Sequence, residues 1–229
     1  LVLLLVMAAG CGKDFLAADN KSNIAADDFF STEAGYEQLV AASYASLRAI
    51  YAHPYAFIYC AGTDMYIEKA PLPEGLHQYR TLNPGDSYIT TFYRDLYKAV
   101  QNCNIGLYYN DKTAEVETLP IRKAELQFLR AYYYFVMVQT FGGVAIVTER
   151  TNEPILQFNR NSAEEVYDFI IKEMKEALNV VPEVAAEPGR VYKRAVRHFL
   201  AKVHLTRGYE SFGTADDFTT AASLADEAI

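Results

Sequence analysis

LPIRKAELQFLRAYYYFVMVQTFGGVAIV, residues 119–147, decides how the rest of the chain must be arranged. Pro120 suits a first helical turn, where its missing N–H leaves nothing unpaired, and Thr118 or Leu119 precedes it as the cap. Ala124, Phe128, Ala131, Phe135 and Val138 recur at helical spacing and make one apolar face. Leu129, Tyr132, Tyr133 and Val136 make a second face beside it. Only Lys123, Gln127, Arg130 and Tyr134 form a narrow polar wedge. A helix apolar on most of its circumference must be covered by several neighbours. Gly142-Gly143 ends it, because glycine adopts the left-handed cap conformation without penalty. A short β-favouring run, Val144 to Thr148, follows.

Working outward, other helices supply that cover. Ser31-Thr32-Glu33 opens one, with Tyr36, Leu39, Val40, Ser43, Tyr44 and Leu47 as its stripe and His53-Pro54 as its end. A second runs from about Thr91 to Tyr109, with Phe92, Leu96, Ala99, Cys103 and Leu107 in register. Beyond the central helix, Ser162 and Glu165 make a capping box for SAEEVYDFIIKEMKEAL, which Pro182 terminates. Gly189-Arg190 precedes a helix from Val191 to Ser211. An amphipathic helix, Asp216 to Ile229, is the last. Between the first two helices, Tyr59 to Tyr88 carries Pro71, Pro73, Gly75, Pro84 and Gly85 without a helical period, and reads as a long irregular loop. Asn20 to Asp28 is polar and is expected to be extended. Paired helices with short connections predict an all-α helical array of tetratricopeptide type, with 113–142 facing 162–181 and 190–211 facing 215–229.

Several stretches share a family signature. AELQFLRAYYYFVMVQTFGGVAIVTE resembles the "AE-x-x-FLRA-x-x-YF-x-L-x-x-x-FGG-x-P" helix of the SusD/RagB family, with Ala145 where that pattern usually has proline. FYRDLYKAVQNCNIGL is similar to the family's "Y-x-x-I-x-x-A-N" helix, with Asn104 in the place of its asparagine. GRVYKRAVRHFLAKVHLTRG resembles its "GR-x-x-K-x-A-A-x-x-LLA-x-V-x-L". The resemblance covers most of residues 11–229. It implies a SusD-like fold and a surface-exposed outer-membrane lipoprotein that captures glycans or other nutrients for a SusC-like, TonB-dependent transporter. It also implies that complete members are more than twice this long, so 31–229 is expected to be a SusD-like N-terminal helical domain cut off at its C-terminus.

The N-terminus agrees with that expectation. In LVLLLVMAAGCGKDF, Leu1 to Met7 is apolar but too short to span a bilayer. Ala8-Ala9-Gly10-Cys11 reads as a lipobox, with small residues before the cysteine to be lipidated. Residues 1–10 are then the remnant of a signal peptide, and 12–30 a tether and extended segment. Of the remaining cysteines, Cys60 and Cys103 could pair outside the cytosol, but Cys103 lies within a helical stripe and reads as a buried thiol. The spacing 11, 60, 103 has no metal-site logic.

Composition narrows the function. The chain has 229 residues, 51% hydrophobic and 22% charged, an ordinary globular balance. A net charge of −8 argues against a nucleic-acid partner. Phosphate-loop, His-x-x-x-His, Cys-x-x-Cys and Gly-x-Ser-x-Gly motifs are absent, and no cofactor or metal is expected. His53, His77, His198 and His204 are scattered and read as structural or solvated. Paired acids such as Asp216-Asp217 stand at helix starts, where they offset the macrodipole. Glu125 falls inside the apolar arc of the central helix and is expected to pair with Arg122 or with a neighbouring helix.

Three functions of different class stay open. One is a glycan-binding surface lipoprotein. A second is a helical-repeat scaffold for other proteins that binds no sugar. A third is an α-helical glycosidase, which needs two opposed carboxylates about 5–10 Å apart, and no such pair stands out. The first is expected, with no catalytic activity. Part of its ligand surface is placed in the loop Thr63 to Tyr88. There Asp64, Tyr66, His77, Tyr79, Arg80 and Tyr88, with Asn83 and Asp86, offer flat rings for apolar sugar faces and polar groups for hydroxyls.

Overall fold

The computed structural model describes residues 26–52, 58–64, 74–114, 116–153 and 157–229. Among them the fold is an all-α, tetratricopeptide-like helical array, with no strand. The long helices are α2 (Glu33–Ala45), α5 (Ser87–Asn110), α6 (Leu119–Phe141), α7 (Ala163–Val180), α8 (Lys193–Gly208) and α9 (Ala215–Glu227). Three short ones are α1 (Ala26–Phe30), α3 (Arg48–Tyr51) and α4 (Glu74–Gln78). From α5 onward each long helix packs on its chain neighbours, and α2 lies across α5 and α6. None of the described helices is long and apolar enough to cross a membrane.

Local chemistry sets the helix starts. Thr32 caps α2 by accepting from the Gly35 N–H at 3.1 Å. The Ser162–Glu165 capping box opens α7, with both reciprocal bonds formed. Asp86 caps α5 through the N–H groups of Tyr88 and Ile89, so that helix starts four residues before the expected Thr91. The end of the segment expected to be extended is also helical. In α1, Phe30 lies against the Tyr109 ring at 5.4 Å, and the Tyr109 hydroxyl donates to the Asp27 carboxylate. That tertiary contact outweighs the local polar composition.

α6 is the buried centre, with every residue from Ala124 to Val138 except Gln127 shielded from solvent. The polar wedge is therefore narrower than its sequence implies. Lys123 is exposed and Gln127 half-buried, but Arg130 and Tyr134 are enclosed. Arg130 reaches Glu173 of α7 at 2.6 and 2.8 Å and donates to the Asn104 side chain at 2.8 Å. A buried guanidinium is tolerable only when paired in this way. Glu125, 1% exposed, meets Arg122 as expected and also Arg190 from the loop before α8, each at 3.0 Å. Arg190 continues to Glu37 of α2 at 2.9 Å, tying three parts of the array together.

The run Val144 to Thr148 is extended without a strand partner; its Val144 carbonyl accepts from the Asn161 N–H at 3.1 Å, its Ile146 N–H donates to the Asn161 side chain at 3.0 Å, and other side chains hold the rest. Tyr97 donates to the Ala145 carbonyl at 2.9 Å, Asn104 to that of Val147 at 2.9 Å, and Arg130 to that of Thr148 at 3.1 Å. The Tyr134 hydroxyl accepts from the Val147 N–H at 2.7 Å. Backbone groups taken out of water need such partners, so α5, α6 and Asn161 together fix the path of this segment. A Cβ on Gly143 would collide with the Asn161 carbonyl, which explains a glycine at the exit of α6.

Candidate functional site

The loop before α5 is built by a few local interactions. Asn83 accepts from the Gly85 N–H at 2.9 Å and donates to the Thr81 carbonyl at 3.0 Å, closing the turn. Asp86 serves as the cap of α5. Leu76 of α4 is buried. The Tyr59 ring meets Phe92 of α5 edge-on at 5.9 Å, which seats the turn 58–64 on the same helix.

Tyr79 sits where these pieces meet. Its φ of 58° lies in the left-handed region, unusual for a residue with a bulky side chain. Its hydroxyl end rests on the bare backbone of Gly62, in space that a Cβ would fill. The ring is nevertheless 61% exposed. Arg80 and Asp64 are exposed beside it in sequence and in the facing turn, and neither has a hydrogen bond or ion pair among the described residues.

The expected site residues therefore divide. Tyr79, Arg80 and Asp64 face outward from two adjoining turns. Tyr88 belongs to the first turn of α5, is half-buried, and has its own contacts within the fold. Asn83 and Asp86 are engaged by the turn and the cap. Tyr66 and the His77 side chain lie outside the described residues, as does Cys11.

The remaining reactive groups belong to the scaffold. Cys103 is fully buried and Cys60 is exposed, both as free thiols. Burial pushes the Cys103 thiol up to about 12, so it stays protonated and inert. Burial likewise pushes the Glu125 and Glu173 carboxyls up, against the pull of their arginine partners. Sequence reading missed that Asn104 and Arg130 clamp the segment after α6. The signal was there as the asparagine and arginine of the two matched helices, but their meeting is a tertiary fact.

Residues 14–205 match the SusD-like family described as "Starch-binding associating with outer membrane". The chain belongs to the SusD-like family. A SusD-like protein of Bacteroides ovatus is 33% identical over 98 residues, 41% of this chain and 17% of that protein. SusD-like protein P25 of Formosa agariphila is 25% identical over 89% of this chain and 42% of its own length. Among solved structures, a laminarin binding SusD-like protein superposes with a TM-score of 0.75 at 23% identity, over 86% of this chain and 43% of that one. A SusD superfamily protein from Parabacteroides distasonis also gives 0.75, at 25% identity, over 86% and 44%. A structure described with xylogluco-oligosaccharide gives 0.67 at 24% identity, over 82% and 39%. The chain thus spans under half the length of the relatives and structures it matches.

Proposed function

We propose that this SusD-like chain binds oligosaccharide at the bacterial cell surface and passes it to a SusC-like, TonB-dependent transporter in the outer membrane. In this reading it is a binding protein and not an enzyme, and lipidation at Cys11 holds it to the membrane. The observation that carries the reading is the pair of turns around Tyr79. They present a ring, a guanidinium and a carboxylate to solvent, while neighbouring polar residues are engaged in building the loop. A flat ring stacks on the apolar face of a sugar, and Arg80 and Asp64 supply a donor and an acceptor for its hydroxyls. Tyr66 and His77, from the same stretch of sequence, and Tyr88, in the first turn of α5, are proposed to join them. Family relatives described with laminarin and with xylogluco-oligosaccharide support the ligand class.

The test is calorimetric titration with laminarin and xyloglucan oligosaccharides. Tyr79→Ala and Arg80→Ala should each weaken binding by about 1–3 kcal/mol, with the melting temperature of Arg80→Ala close to the parent's because that side chain is exposed, and that of Tyr79→Ala lowered only by the loss of its contact with Gly62. Normal binding by both variants would show that the loop is scaffold only.

A further inference from the structure

A groove of about 510 Å³ runs along α5 beneath the segment that follows α6. Its volume falls in the range of small-ligand sites, too narrow for a folded partner. The Tyr97 and Tyr93 rings line one side, 4.9 Å apart. The hydroxyl bond from Tyr97 to Ala145 holds the first, and edge-on contact with Phe141 at 5.1 Å holds the second. Phe158 lines the same groove, is 54% exposed, and has no aromatic partner among the described residues. A ring more than half exposed thus stands in the groove beside two fixed tyrosines.

The groove also carries a distinct charge. In a chain of net charge −8, its lining includes Arg94 and Lys98 and no carboxylate. A smaller cavity of about 310 Å³ continues it past Tyr93 and Phe158 and is lined by Arg160, again without an acid. Arg160 is engaged with the Phe141 and Gly143 carbonyls. Arg94 and Lys98 share one acidic neighbour, Asp95, at 3.8 and 3.2 Å, so the rim keeps a net positive charge. Gln101 and Thr151 add neutral hydrogen-bonding groups. Aromatic walls, an apolar floor and a cationic rim together complement a ring with apolar C–H faces and an anionic substituent.

We propose that this groove is a binding site for acidic oligosaccharides. A pyranose ring packs against Tyr93 and Phe158, and its carboxylate or sulfate is held by Arg94 and Lys98. The inference rests on the reading of this chain as a glycan binder, but on residues separate from the Tyr79 loop.

Calorimetric titration with tetragalacturonate, a sulfated carrageenan tetrasaccharide and neutral laminaritetraose tests it. At least one acidic probe should bind more tightly than the neutral one, and its affinity should fall as salt rises. Which acidic probe binds tells carboxylate from sulfate. Phe158→Ala and the double variant R94Q/K98Q should each weaken that binding about tenfold, with unchanged thermal melts, since all three side chains are largely exposed. Acidic binding that survives both variants, or equal affinity for acidic and neutral probes, overturns the groove as a site. If in that case Tyr79→Ala still weakens laminaritetraose binding, the loop reading stands without it. Absence of binding by both acidic probes also overturns the groove, and the loop reading is then decided by its own laminarin and xyloglucan titrations.

Discussion

At the scale of single residues, Asp217 shows how one side chain can hold two elements. It is 2% exposed, accepts from the Thr214 N–H at 3.0 Å at the start of α9, and meets His204 at 2.8 Å and Arg207 at 3.1 Å on α8. Burial raises its carboxyl, but the bonds from His204, Thr214 and Arg207 outweigh burial and hold it down at about 2, below the usual 3.8. A carboxylate depressed in the folded state stabilises the fold above its unfolded pKa and loses that contribution as pH falls through the folded value. Asp217→Asn should therefore cost about 2 kcal/mol at pH 7. The difference between variant and parent should shrink between about pH 4 and pH 2. Urea unfolding of both proteins at pH 7, 4 and 2 measures this, and a pH-independent gap would mean that packing, not charge, is what Asp217 supplies.

At the scale of elements, α6 governs the array because it has almost no solvent face. Phe135 is 3% exposed within the main core, whereas Lys123 is 47% exposed and makes only a long ion pair with Asp111 at 3.8 Å. Phe135→Ala should lose about 3–5 kcal/mol, the usual cost of emptying a buried aromatic site. Lys123→Ala should change stability by less than about 0.5 kcal/mol, as exposed pairs contribute little. Thermal melts of the two variants decide the matter, and equal midpoints would mean that the face assignment is wrong. The helix matters as much for what it fixes outside itself. Tyr134 and Arg130 reach from it to the backbone of residues 147–148, and so place one wall of the groove beside α5.

At the scale of the whole molecule, stacked helices give a stiff body with broad surfaces, a form suited to docking on another protein. The proposed anchoring and transporter partnership are tested at this scale in the native organism. The protein should sediment with outer membranes and label with palmitate, and Cys11→Ala should abolish both, since stable anchoring needs more than one acyl chain. Mild-detergent extraction should recover a β-barrel partner with it. Undiminished labelling in the Cys11→Ala variant would rule out the lipobox reading, and repeated recovery without a barrel would count against the transporter.

Periodicity alone determined the long helices, because burying one face of a helix demands apolar residues every three to four positions whatever the neighbours are. The Ser162 capping box and the glycine stop of α6 were equally legible, since both are chemistry between residues close in sequence. The site was legible only in part. Proline and glycine marked the loop, but which of its polar residues are free depends on which ones the turn and the α5 cap engage. The tertiary structure decided the rest. Arg130 and Tyr134 occupy polar-looking positions on a helical wheel and are buried, because Glu173 and the backbone after α6 come to meet them. Phe158 and Tyr93 stand 65 positions apart and share a groove because side chains of α5 and α6, together with Asn161, pin the extended segment between them. Contacts between residues so far apart in the chain leave no period to read.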